Sequence, residues 1–234
     1  MPRLGVKELL NAMIPVPPLN AQKRIAAVLD KICELKKNAE TRLEKLDTLV
    51  KSRFVAMFGD AREENIRFPA LQGKELFSFA SGKFLSPDLR KDQGVPVYGG
   101  NGISWYTNKP FVESPTIVIG RVGAYCGNVH YISSPAWITD NAIYIKEFKK
   151  KVFDLRFLSL YMTFLDFSRF AAKSGQPKIT QRPLDDIQYI LPPLAHQREF
   201  AAFVEKVDKL RETARWTVEA MDTLYRSKLQ EYFG

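Results

Sequence analysis

An internal repeat constrains this chain more than any other feature. Residues 14–59 recur without a gap as residues 189–234, at a constant offset of 175 and with sixteen identical positions. The identities include Pro17/Pro192, Pro18/Pro193, Leu19/Leu194, Gln22/Gln197, Leu35/Leu210, Asp47/Asp222, Phe58/Phe233 and Gly59/Gly234. A fold for the chain must give both copies equivalent local structure and bury the apolar face of each.

Each copy predicts a long helix. In the first, Pro15-Val16-Pro17-Pro18-Leu19 gives an extended lead-in, Asn20 is the expected N-cap, and about 38 residues of helix-favouring sequence follow. Apolar side chains fall at Ile25, Val28, Ile32, Leu35, Ala39, Leu43, Leu46, Val50, Phe54 and Met57, a mean spacing of about 3.6 that marks one helix face. Their partners, from Phe200, Phe203 and Val207 through Leu210, Ala214 and Met221 to Tyr232, are apolar too. Two such stripes bury each other most simply as an antiparallel coiled-coil-like pair, each helix roughly 57 Å long. Ile25, Ile32, Leu35, Leu46, Phe200, Val207, Leu210 and Met221 are the candidate contacts for this pair or for a dimer built on it. Lys36, Lys37, Glu40 and Glu44 read as a solvated outer face. Gly59 and Gly234 suit the position just past a helix end.

Extended backwards, the repeat pairs Pro2 with Pro177, Arg3 with Lys178, Leu4 with Ile179 and Leu9 with Leu184. Residues 1–13 therefore read as a stub resembling the end of a unit that the chain later completes. The expected division is 1–13 stub, 14–59 first long helix, 60–188 globular domain and 189–234 second long helix. Within residues 60–175 the helical period gives way to glycines, turns and short β-branched runs. Strands are expected at Val95–Tyr98, Thr116–Ile119, Gly127–Ile132 and Ala142–Ile145. A helix is expected over Val152–Lys173, with Phe153, Phe157, Tyr161, Phe164, Phe167 and Phe170 as a core stripe. The fold class is α+β: one mixed α/β domain flanked by two long helices.

Formal charge is +9 in 234 residues, distributed as +5, +4 and 0 over residues 1–59, 60–175 and 176–234. A basic first arm and middle suit a polyanionic partner such as nucleic acid. Cys33 and Cys126 are far apart and lack CxxC spacing, which fits a reduced cytoplasmic protein. No apolar run approaches the ~18 residues of a membrane span.

Catalytic signatures fail one by one. Gly99, Gly100 and Gly102 are followed by Ile103-Ser104 and not by the Lys-Ser/Thr of a phosphate loop. His130 and His196 lack partners at metal-ligand spacing and read as structural histidines. Both Pro-Pro pairs follow Val16 or Leu191 and precede leucine, so the base-holding loop of DNA adenine methyltransferases is absent. Asp185-Asp186 reads as a surface or capping pair. What remains is a set of long donors and amides in irregular segments: Lys83, Asn101, Tyr106, Arg121, Asn128, Asn141, Gln176 and Lys178. Arginine suits guanine edges, asparagine and glutamine suit adenine, and lysine suits phosphates.

Pro-Pro-Leu-x-x-Gln heads each long helix. With it come Val-Tyr-Gly-Gly-Asn-Gly-Ile (97–103), Ile-Gly-Arg-Val-Gly-Ala-Tyr-Cys-Gly-Asn-Val (119–129), Trp-Ile-Thr-Asp-Asn-Ala (137–142) and Gly-Gln-Pro-Lys-Ile (175–179). In this order the motifs resemble the DNA specificity (S) subunits of type I restriction-modification systems over essentially the whole chain. Ala21 and His196 stand where the family usually has an acidic residue before the glutamine. The resemblance implies a non-catalytic subunit whose target-recognition domain reads one half of a bipartite site in double-stranded DNA. Its long helices would set the spacing and dock methyltransferase (M) subunits, which bring S-adenosylmethionine, with restriction (R) subunits optional. A full-length member has two recognition domains and this chain shows one, so the resemblance implies a half-length form, working as a homodimer through the long helices. The rival expectation is a helical-hairpin scaffold or protein-interaction module with an inserted α/β domain and no DNA role.

Overall fold

The computed structural model describes residues 16–63, 67–172 and 175–233. The stub at 1–13 and the cap at Gly234 lie outside the described residues. The described residues divide into two compact units, one made of those up to Leu49 with those from Lys206 onward, the other of those within Val50–Glu205.

The long helices are α1, Leu19–Phe58, and, after the α/β elements, α5, Leu194–Phe233, each of 40 residues. Both start two residues earlier than a cap at Asn20, or at its equivalent Ala195, would place them. The Pro18 carbonyl accepts from Ala21 N and Gln22 N, and the Pro193 carbonyl likewise accepts from His196 N and Gln197 N. Proline supplies no N–H and has a preset φ, so it closes the first turn without a side-chain cap. Gly59 ends α1 as expected, at φ 87° with its N–H on the Val55 carbonyl.

In the helical unit the buried face of α1 follows a 4–3 alternation through Ile25, Leu29, Ile32, Lys36, Ala39, Leu43 and Leu46, all buried or half-buried, with Ala21 half-buried one turn before it and Thr41 half-buried beside it. The expected stripe therefore needs correcting at two places. Val28 and Leu35 are exposed, and Leu29 and Lys36 take the inward positions. Lys36 is consequently not on a solvated outer face. A seam that repeats every 3.5 residues is what two packed helices require, whereas an average of 3.6 drifts off it. Across the seam Lys36 Nζ donates to Asp222 Oδ1 at 2.6 Å, and Arg211 Nη2 donates to Asp47 Oδ1 at 2.6 Å. Lys36 and Arg211 are equivalent positions of the repeat, as are Asp47 and Asp222, so the two ion pairs are related by the repeat itself. Early positions of one helix meeting late positions of the other establish the antiparallel arrangement.

The α/β unit holds β1 (Ala70–Gln72), α2 (Gly73–Leu76), β2 (Phe77–Ser81), β3 (Val95–Gly99), β4 (Gly102–Thr107), β5 (Thr116–Gly120), β6 (Val129–Ile132), β7 (Trp137–Ile138), β8 (Ala142–Phe148), α3 (Leu155–Leu165), α4 (Gln181–Asp186) and β9 (Gln188–Ile190). An antiparallel sheet has the order β2-β8-β5-β6, a smaller one the order β4-β3-β7 with β7 parallel to β3, and β1 pairs with β9. Four of these strands are the expected ones. The expected start of β6 at Gly127 is two residues early: Gly127 is at φ 93°, and a Cβ there would overlap the Ser168 backbone nitrogen, so it is a turn residue.

The expected helix 152–173 is shorter. Asp154 caps it by accepting from Phe157 N at 3.0 Å, and Asp166 ends it in the left-handed region at φ 54°. A 3-10 turn, Phe167–Phe170, follows. Of the expected aromatic stripe, Phe157, Tyr161 and Phe167 are buried core, and Phe153, Phe164 and Phe170 are half-buried. Phe54 and Phe58 from the end of α1 pack on it, with Phe54 4.6 Å from Phe164 and Phe58 5.0 Å from Phe157 between ring centroids, and Phe200 of α5 meets both. Such clusters dominate the burial energy of a small domain.

Candidate nucleic-acid interface

The two sheets of the α/β unit are strung so that five irregular segments emerge at one end. β2 and β5 finish there, β6 and β8 begin there, and β3, running parallel to β7, delivers the Gly99–Gly102 turn to the same level. Backbone hydrogen bonds tie these segments into a collar: Gly82 N to Ala142 O, Lys83 N to Ile138 O, Thr139 N to Tyr98 O, Arg121 N to Asn141 O, Gly123 N to Pro177 O and Ile179 N to Arg121 O, all at 2.8–3.0 Å. Loops held this way present side chains on a rigid base.

Close approach explains the glycines. A Cβ on Gly120 would overlap the Tyr125 carbonyl and press on Gly100, so the segment after β5 can lie against the β3–β4 turn only with glycine on both sides. His130 props that turn through Nε2, 3.1 Å from the Gly100 carbonyl oxygen, which makes it a structural histidine as expected.

Seven of the eight sequence-nominated residues gather on this collar. Lys83 follows β2, with its ammonium 4.4 Å from the Phe111 ring centroid. Asn101 is exposed in the β3–β4 turn, and Asn128 and Asn141 are exposed just before β6 and β8. Arg121 is half-buried, and Nη1 donates to Ser81 Oγ at 3.3 Å and to the Asp140 carbonyl at 3.4 Å. Its fork is thereby aimed, with donors left over for a ligand. Gln176 lies against Gly123, and Lys178 pairs with Val122 as an isolated bridge. Tyr106 is the exception: it pairs with Lys91 near the opposite end of β4, one strand length from the turn.

Sequence reasoning missed the groups that aim Arg121: Ser81 belongs to no motif, and Asp140, inside the 137–142 motif, acts through its backbone carbonyl, which residue type does not reveal. Cys126, in the middle of the collar, is buried, its Sγ donates to the Arg121 carbonyl at 3.2 Å, and burial pushes its thiol up. A thiol held in the protonated form is unsuited to nucleophilic work. The collar thus offers two lysines, an arginine, three asparagines and a glutamine against the single carboxylate Asp140, a set made for hydrogen bonding to a polyanion.

Of the helix positions nominated for pairing or dimerisation, Ile32, Leu46 and Val207 are buried within the helical unit and Phe200 within the α/β unit. Ile25 and Met221 are half-buried, and Leu35 and Leu210 are exposed. Only the last four retain surface for another chain. No helix among the described residues is long and apolar enough to cross a membrane.

Comparison with known proteins agrees with this arrangement. A family model described as the type I restriction modification DNA specificity domain matches residues 71–219. The Escherichia coli type I restriction enzyme EcoprrI specificity subunit is 26% identical over 208 residues, covering 84% of this chain and 50% of that protein. A putative type I specificity subunit of Mycoplasma pneumoniae, S.MpnORF201P, is 25% identical over 222 residues, with 85% of each chain covered. The crystal structure of the S subunit from M. genitalium superposes with a TM-score of 0.68 at 20% identity, over 92% of this chain and 61% of that one. The chain thus spans half the length of the E. coli relative and under two thirds of the solved S subunit, whose likeness is one of fold. With the family model matched over well more than half of its residues, the chain belongs to the type I restriction-modification DNA specificity family.

Proposed function

We propose that this chain is a non-catalytic specificity subunit that reads one half of a bipartite DNA site with its collar and docks methyltransferase subunits on its long helices. The observation that carries the reading is the convergence of Lys83, Asn101, Arg121, Asn128, Asn141, Gln176 and Lys178 on one hydrogen-bonded rim. Phosphate contacts from the lysines hold the duplex, and amide and guanidinium edges discriminate bases. Methyl transfer, with S-adenosylmethionine, belongs to the partner, and a restriction subunit is optional.

One half-site of a few base pairs is too little for selectivity, since each mismatch costs only about 1–3 kcal/mol. Two half-sites at a fixed spacing multiply the discrimination, and in this reading a second copy of the chain supplies the other half. Support comes from the Gln22 end of the helical unit, where Val16, Pro17, Ile25, Ala26, Leu29 and Phe233 line an open apolar groove of about 390 Å³. A symmetric dimer reads an inverted repeat.

The test is co-purification with a methyltransferase subunit followed by mapping of the methylated sites. A bipartite, inverted-repeat target is the expected result; methylation without sequence preference, or no complex, would sink the reading.

A further inference from the structure

The collar carries a feature that base-edge hydrogen bonding does not use. Among the described residues of the α/β unit, the four most exposed large apolar side chains are Phe84 at 66%, Ile103 at 51%, Leu89 at 49% and Tyr125 at 47%. Three of the four, Phe84, Ile103 and Tyr125, stand on the collar; elsewhere on the strands, Trp105 and Tyr131 are less exposed, at 39% and 37%. Isolated exposed apolar residues need no explanation, but three gathered on the rim that also holds the cations and amides do.

Each is presented on a fixed backbone. Phe84 lies between Lys83, whose N–H donates to the Ile138 carbonyl at 2.8 Å and whose carbonyl accepts from Trp137 Nε1 at 3.0 Å, and Leu85, which is buried. Tyr125 closes a 3-10 turn whose carbonyl accepts from Asn128 N, and its Cβ lies 3.6 Å from where a Cβ on Gly100 would be. Ile103 opposes Tyr98 one step from the β3–β4 turn. Rigid display of a bare ring costs solvation without benefit to folding, and a flexible loop would have folded it away. Nearby charge selects the occupant. Lys83, Arg121 and Lys178 favour a polyanion, and a ring or branched side chain beside them meets the faces of bases.

We infer that Phe84 and Tyr125, with Ile103 beside them, are apolar wedges that enter base steps of the bound duplex and unstack them, kinking the DNA at the half-site. This rests on the collar being the DNA-reading surface. Base faces are covered in an undistorted duplex, so the rings gain contact only by parting a step, as apolar side chains flanked by arginine, lysine and asparagine do in other architectures. The distortion adds specificity at positions that make no hydrogen bond, because pyrimidine–purine steps part most easily.

The full-length chain would be used to select binders from a pool of duplexes with a randomised centre, and the selected duplexes probed with permanganate, which oxidises unstacked thymines. Wild type should render a thymine at a fixed step reactive. Phe84→Ala and Tyr125→Ala should abolish that reactivity and weaken binding to selected duplexes roughly tenfold to a hundredfold each, the range of one lost stacking contact. Binding to unselected duplexes, carried by phosphate contacts, should stay within about twofold of wild type. Tyr125→Phe and Phe84→Leu should keep both effects, since each retains the wedge. Selected duplexes that show no reactive thymine, or that bind the alanine variants as well as wild type, would overturn the wedge and leave the DNA-reading role standing. A wild-type chain that binds no duplex would overturn both.

Discussion

Phe58 and Phe233 are the same position of one repeated segment, yet Phe58 is fully buried and Phe233 is 49% exposed. The contrast continues along the helices. Gln197 is fully buried: Oε1 accepts from Asp154 N at 2.9 Å, and Nε2 donates to the carbonyls of Val152 at 3.0 Å and Pro192 at 2.8 Å. Its counterpart Gln22 is exposed and, among the described residues, makes only the repeat's internal bond, Nε2 to the Pro17 carbonyl at 2.8 Å. Phe200 and Ala201 are buried, whereas Ile25 is half-buried and Ala26 exposed. The second copy begins among aromatic residues and the backbone of the α/β unit, while the first begins beside an open groove. Identical sequence signals thus specify identical helices, and what covers their ends is settled by which other elements reach them.

The largest effect should come from emptying the covered end. Phe200→Ala is expected to lower the unfolding free energy by about 3–5 kcal/mol, since it leaves a cavity among Phe54, Phe58 and Phe157. Ile25→Ala at the equivalent position should cost under about 1 kcal/mol, because half-exposed apolar surface contributes little. Urea titration of both variants measures the difference, and equal losses would mean the first end is covered in solution.

Next is an alkaline limit confined to the covered side. Burial pushes the Tyr161 hydroxyl up to about 12 and holds Tyr189 well above the usual 10. A raised folded-state value means that this stability is complete below the unfolded value near 10 and is lost as pH rises through 12. For Tyr161 the loss is on the order of 2–3 kcal/mol by then. Thermal melts between neutral pH and strong alkali should show stability falling from about pH 10, and Tyr161→Phe should blunt the fall.

The glutamines sharpen the comparison further. Gln197→Ala strands the half-buried N–H of Asp154, the Val152 carbonyl and the buried Pro192 carbonyl, at an expected cost of about 2 kcal/mol; Gln22→Ala should stay within a few tenths. Comparable values in urea titrations would erase the asymmetry.

The smallest effect tests the symmetry that the two copies still share. A double-mutant cycle on Arg211–Asp47 should give a coupling of about 0.5–1 kcal/mol, and one on Lys36–Asp222 somewhat less, as both pairs are solvent-screened. Both couplings should shrink in high salt. Unequal salt responses would argue that the pairs differ in more than exposure.

Much of this molecule was legible before folding. The repeat, the prolines and Gly59 specified two equal helices and the end of the first. The glycine-rich motifs marked the collar, because backbones packed as closely as Gly100 and Gly120 admit no side chain. Other features could not be read from local pattern. Lys36 looks like an outer-face lysine until a partner helix supplies Asp222, and Asp166 ends α3 inside an aromatic period that would otherwise continue. β2, Phe77–Ser81, is a strand because β8 pairs with it, not because its five residues announce one. Tyr106 shares composition with the collar residues but sits a strand length away.

The sequence by itself determined the helices, their near-equal length, and the polar and basic chemistry of the loops, since these depend on periods and residue types along the chain. Only the tertiary structure decided which face of each helix is the seam, which end of the repeat is covered, and which polar and aromatic side chains share one rim. Those outcomes depend on strand order and register, which bring together residues far apart in sequence.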